Sequence, residues 1–127
     1  MRRISILLLA LTIGFCISAD LFAADKAAIK KNVDDIVVAI DNGKKAEEFK
    51  ANDYKPYVFI LEEGGMTLVH PSLIGKSLKE VAGPVYEALT KATAEGLWVD
   101  YVWKEKQKHT YVRKTKSNLI VGSGYSE

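Results

Sequence analysis

The first residues to weigh for catalysis or metal binding are His70, His109 and the adjacent acidic pairs Asp34-Asp35, Glu47-Glu48 and Glu62-Glu63. The histidines are not four apart on one helix, the spacing that lets two imidazoles share a zinc ion. Adjacent acidic side chains on a helix or in a turn diverge, so none of the pairs makes a general acid and base facing one substrate. Gly75-Lys76-Ser77 ends like a phosphate-binding loop, but His70 stands where that loop needs its first glycine. Gly122-Ser123-Gly124 has Val121 and Tyr125 in place of the glycines of a nucleophile elbow. No nucleophile, base and orienting group converge, and a non-catalytic protein without cofactor or metal is expected.

Binding chemistry is better supplied. In a strand over Leu97 to Trp103, alternation puts Val99, Tyr101 and Trp103 on one face and Trp98, Asp100 and Val102 on the other. In a strand over His109 to Lys116, His109, Tyr111 and Arg113 share a face opposite Thr110, Val112 and Lys114. A face combining Tyr101, Trp103, Tyr111 and Arg113 offers one cation with hydroxyl and indole donors, a site for a small carboxylate if a loop covers it. The plainer alternative is a solvent-exposed aromatic strip over which Arg113 extends. Lys104, Lys106 and Lys108 fall in the charged link between the strands. That link reads as a solvated hairpin tip guarding the edge, and not as a nucleic-acid surface.

The elements that position these residues follow from periodicity. Ile29, Val33, Ile36 and Ile40 recur at helical steps between Asp25 and Asp41, with Lys30, Lys31, Asp34 and Asp35 between them. Asn42-Gly43 ends that helix, and Lys44 to Lys50 suits a second short one carrying Phe49 inward. Tyr57 to Leu61 and Met66 to His70 flank Glu62-Glu63-Gly64-Gly65 as a β-hairpin, closed by Pro71. A loop over Ser72 to Gly83 leads to a helix over Pro84 to Glu95, with proline at its start and Gly96 past its end. Two further links, Lys104 to Lys108 and Ser117-Asn118, join the last three strands, the third spanning Leu119 to Tyr125, into an antiparallel meander. The sum is α+β: a five-stranded antiparallel sheet, a long N-terminal helix on one face, and a short helix plus loops over the other.

The chain has 127 residues, 18 basic and 16 acidic, and is 48% hydrophobic, which suits one globular domain and excludes a disordered polyelectrolyte. Met1-Arg2-Arg3, the apolar run Ile4 to Ile17 and the small residues up to Ala24 have the pattern of a secretory signal peptide. Asp20 interrupts the apolar stretch short of the roughly 20 residues of a spanning helix. With Phe22 three positions before the Ala24 cut, an uncleaved tether is the alternative. Cleavage leaves residues 25–127 as one domain, without Cys16, the sole cysteine, and with nearly balanced charge. A periplasmic or secreted bacterial protein is expected, with no field for nucleic acid or anionic membrane.

Tyr57-Val58-Phe59-Ile60-Leu61, His70-Pro71, Leu73-Ile74-Gly75-Lys76, Gly96, Tyr101-Val102-Trp103, Tyr111-Val112 and Val121-Gly122-Ser123-Gly124-Tyr125, in that order and spacing, resemble a single Cache domain. This is a PAS-like extracytoplasmic sensor domain of the calcium channel and chemotaxis receptor family. The resemblance implies the fold derived above, a small organic acid bound without turnover, and a role in signal transduction. Carried over by position, it implies His70 and Tyr111 as hydrogen-bond donors, Tyr101 and Trp103 as pocket walls, and Arg113 as carboxylate partner. Lys114 is the rival cation, since a one-residue bulge would exchange the two. The expected role is a ligand-presenting component for a separate membrane receptor, kinase or transporter, with homodimerisation open. The alternative is a protein-interaction module whose pocket is vestigial.

Overall fold

A computed structural model describes residues 25–127. The expected signal peptide, residues 1–24, lies outside the described residues. Residues 25–41 are helical and are termed α1. They are followed by two short 3-10 turns, Ala46–Glu48 and Ala51–Asp53, where a single short helix was expected. The strands are β1 (Val58–Leu61), β2 (Thr67–Val69), β3 (Leu97–Trp103), β4 (Lys106–Lys114) and β5 (Ile120–Ser126). Between β2 and β3 lie α2 (Leu78–Val81) and α3 (Gly83–Leu89). The chain is therefore α+β around a five-stranded sheet of order β2-β1-β5-β4-β3, antiparallel at every pairing.

Alternation along each strand divides the interior into two layers. On one face, Ile29, Val33, Ile36 and Val37 of α1 pack against Val58, Ile60, Tyr111 and Val121. On the other, Leu78 of α2 and Val85 and Leu89 of α3 cover Phe59, Leu61, Val99, Val112 and Ile120. β5 serves both layers because Gly122 leaves space for the Phe59 ring directly across the ladder; a Cβ at Gly122 would collide with that ring.

The loop expected over Ser72 to Gly83 contains α2, and two other elements have a boundary that moves by more than one residue. The helix expected over Pro84 to Glu95 ends at Leu89, since β4 captures the next segment. Arg113 Nε donates to the Ala94 carbonyl at 2.7 Å, Tyr111 Oη to the Glu95 carbonyl at 3.1 Å, and the Lys114 amide to the Thr93 carbonyl at 2.8 Å. Gly96, at φ +97°, lets the chain pass under Tyr111 into β3. The fourth strand begins at Lys106 and not at His109, because only Lys104 and Glu105, at φ 52° and 67°, form the turn. Positive φ at both central residues is the tight turn whose twist matches a hairpin.

Candidate functional site

That turn decides which side chains meet. A five-residue link over Lys104 to Lys108 would set Trp103 opposite His109 and put Tyr111 and Arg113 on the face of Tyr101. The two-residue turn sets Trp103 opposite Lys106, Tyr101 opposite Lys108 and Val99 opposite Thr110. The two readings differ by an odd number of residues, and an odd shift moves every side chain of a strand to the other face.

Tyr111 and Arg113 are accordingly corrected: they face α1 and stand away from the covered cavity. Arg113 Nη1 lies 3.1 Å from Asp34 Oδ1, the Tyr111 hydroxyl donates to the same oxygen at 3.4 Å, and Lys30 Nζ donates to Asp34 Oδ2 at 2.8 Å. Burial pushes the Asp34 carboxyl up, but these cations outweigh it and hold the group below the usual carboxylate range. Arg113 already has a carboxylate and is not waiting for one. Lys114 is on the other face but pairs with Glu63 of the β1–β2 turn at 3.4 Å.

His70, Tyr101 and Trp103 do come together. With Tyr57, Phe59, Leu61, Thr67, Leu78, Val85 and Leu89 they line a cavity between the sheet and α2–α3. Its volume is about 20 Å³, room for one water-sized group. The Tyr57, His70 and Trp103 rings also border an outer groove of about 330 Å³, which Lys104, Lys106 and Lys108 line on one side. His70 stands between the other two rings, with centroids 5.3 Å from Tyr57 and 6.3 Å from Trp103. The three rings thus separate an apolar interior from a basic mouth.

Lys108, expected in a solvated link but placed in β4, is the cation at this boundary. It is 5% exposed, and its ammonium donates to the Tyr57 hydroxyl at 2.8 Å. Among the described residues no carboxylate pairs with it. Burial, reinforced by the charge of Lys104, lowers its pKa to about 8. The Tyr57 hydroxyl accepts from Lys108 and the Tyr101 hydroxyl accepts from Thr110 Oγ1 at 2.9 Å, so each phenol keeps its own hydrogen to give. Burial raises the Tyr101 pKa to about 12, which keeps it a donor.

The His-Pro pair has a local cause. His70 Nδ1 accepts from the amides of Ser72 and Leu73 at 3.0 and 3.2 Å, closing the turn that Pro71 starts. An Nδ1 that accepts fixes the neutral tautomer with its proton on Nε2. Burial first, then the charges of Lys108 and Lys104, lower the His70 pKa to about 4. An ammonium, two phenols and an imidazole N–H, with no acidic partner, form a donor set suited to a small anion.

Compared with known protein families the chain matches none of them, and no curated protein resembles it closely enough to count as a relative. Among the described residues no helix is long and apolar enough to cross a membrane, and no group of three His, Cys, Asp or Glu side chains is placed to hold a metal ion.

Proposed function

We propose that this chain is an extracytoplasmic ligand-binding module that holds a short carboxylate without turning it over and presents it to a separate membrane receptor, kinase or transporter. The observation that carries the reading is Lys108: an ammonium removed from water with a phenol and no carboxylate beside it. A buried charge is costly unless paired, and Lys108 has only the Tyr57 hydroxyl and the face of the Tyr57 ring, 4.4 Å from its ammonium, in place of a carboxylate, which suits an anionic guest. Tyr57, Tyr101 and His70 supply the remaining donors, and Trp103 the wall.

The α+β sheet is compatible with a PAS-like fold, and the ordered runs from Tyr57 to Tyr125 supply the likeness to a single Cache domain. In that reading residues 25–41 belong to the long N-terminal helix, the ligand sits on the opposite face, and residues 1–24 direct export to the periplasm or beyond.

The test is calorimetric titration of the chain with acetate, propionate and glycolate. Lys108→Met is expected to weaken binding by about tenfold or more, the loss of one charge-assisted contact in a desolvated site. Arg113→Ala is expected to leave affinity within about twofold, since that side chain faces α1. Equal affinity in Lys108→Met and the parent chain, or no binding of any acid, would sink the carboxylate reading.

The 20 Å³ interior favours a second reading, an interaction module whose pocket has closed. It predicts a stoichiometric protein partner retained by His70→Ala and Tyr101→Ala, and no acid that raises the melting temperature.

A further inference from the structure

Thr67 lies in β2 with 2% of its surface exposed, and it lines the inner cavity. Its Oγ1 has no hydrogen-bond partner, the sole buried side-chain oxygen or nitrogen among the described residues in that condition. Its backbone is satisfied independently: the amide donates to the Lys76 carbonyl and the carbonyl accepts from the Gly75 amide, both at 2.9 Å. The hydroxyl therefore does nothing for the turn that holds it. A buried hydroxyl left unpaired keeps its full desolvation cost, and valine has the same shape without that cost. The rest of the inner lining is mostly apolar: Phe59, Leu61, Leu78, Val85 and Leu89.

Resting on the carboxylate reading above, we propose that Thr67 Oγ1 is a second polar anchor, so that the site selects a short acid bearing a hydroxyl or oxo oxygen beside its carboxylate over a plain alkanoate. Two observations define the ligand's shape. The donors that suit a carboxylate stand at the ring boundary, where Lys108 meets Tyr57. The void behind the rings has room for about one non-hydrogen group, and of the Tyr57, Tyr101 and Thr67 hydroxyls that line it, that of Thr67 alone has no partner. An acid whose head stays at the boundary sends one small substituent inward. A methyl there leaves Thr67 unpaired, whereas an oxygen pairs with it, because a threonine hydroxyl can donate or accept. Sites that offer a polar group to one substituent discriminate against the apolar isostere by leaving their own group unsatisfied.

Glycolate and propionate make the test, since they have equal numbers of non-hydrogen atoms and differ by a terminal hydroxyl against a methyl. Calorimetry on the purified chain is expected to give glycolate about tenfold tighter binding than propionate. Thr67→Val should abolish the preference by weakening glycolate while leaving propionate within about twofold. Thr67→Ser, which keeps the hydroxyl, should retain the preference and guards against a general packing effect. Propionate binding as tightly as glycolate, or a glycolate preference that survives Thr67→Val, would overturn the inference while leaving the carboxylate site standing. Failure of both acids to bind the parent chain would overturn the carboxylate reading and this inference with it.

Discussion

Tyr101 and Lys108 stand directly opposite each other across the β3–β4 ladder, and both side chains point to the face covered by α2 and α3. Directly opposed residues of an antiparallel pair share a face, so this register puts Lys108 on the face of Tyr101, where its ammonium reaches the Tyr57 hydroxyl. It also sends Arg113, the more conspicuous cation, to α1. The two-residue turn at Lys104-Glu105 is therefore a determinant of the site, of whose groove Lys104 is also a lining residue.

The lowered pKa values give the folded protein a defined dependence on pH. His70 at about 4 and Lys108 at about 8 are bases whose folded values lie below their ordinary ones, 6.5 and 10.5. In each window the unfolded chain binds more protons, so stability rises with pH from about 4 to 6.5 through His70 and from about 8 to 10.5 through Lys108. His109, bridged by Asp100 and Glu127 at 2.6 Å each, has a raised pKa and acts oppositely, its contribution present below 6.5 and lost as pH climbs through the folded value. Denaturant melts across pH should show the upper rise in the parent chain and its loss in Lys108→Met. Carboxylate affinity should fall about tenfold per unit above pH 8, where the ammonium empties; a flat affinity from pH 7 to 10 would exclude Lys108 as the anion's partner.

Arg113 is a structural staple. It joins α1 through Asp34 to the segment before β3 through the Ala94 carbonyl. Both charged side chains remain about a quarter exposed, so solvent screens the pair, and Arg113→Ala should cost about 1–2 kcal/mol in chemical denaturation. Asp34→Asn should lose part of the same amount, and the double variant should lose less than the sum. Additive losses would mean that the two groups act separately.

The sheet and most of its boundaries were legible because period-two runs, Gly-Gly and Ser-Asn links and inward-facing valines and isoleucines all agree. β3 was expected over the same residues, Leu97 to Trp103, that it occupies. The site was half legible: alternation grouped Tyr101 with Trp103 and set His109, Tyr111 and Arg113 apart from Thr110 and Val112, but it cannot say which group of one strand faces which of the next. Turn length supplies that, and Lys104-Glu105 lacks the Asn-Gly or Asp-Gly signature that marks a two-residue turn. Counting back from Val112 and Thr110 would have reached Lys108 had the strand been extended through the lysines. Thr67 gave no signal, since a threonine in a strand is ordinary and its lack of a partner is a property of the packed interior.

Gly122 is required by the floor of the cavity. A Cβ there would meet the Phe59 ring, which lines the void and is itself 4% exposed. Gly122→Ala must displace that ring or spread β1 from β5, at a cost of about 1–3 kcal/mol in thermal or chemical melts. Gly43→Ala, where a Cβ would meet nothing but φ is +112°, should show the backbone cost alone, about 1 kcal/mol. Equal losses at the two positions would argue that the Phe59 contact contributes nothing.

Leu78 caps the void from α2 and is 5% exposed, so it separates a small pocket from a closed one. Leu78→Ala should destabilise the chain by about 2–4 kcal/mol and enlarge the interior, because the surroundings relax only partly around a truncated core residue. If the cavity is a working site whose size sets the ligand, butyrate and longer acids should gain affinity relative to acetate in this variant, with Lys108 still required. A variant that loses stability but binds none of these acids would show that interior volume is not what limits binding. The weight would then move to the interaction-module reading. Measuring the melting temperature with and without each acid gives both quantities at once, since a ligand that binds only the folded state must raise it.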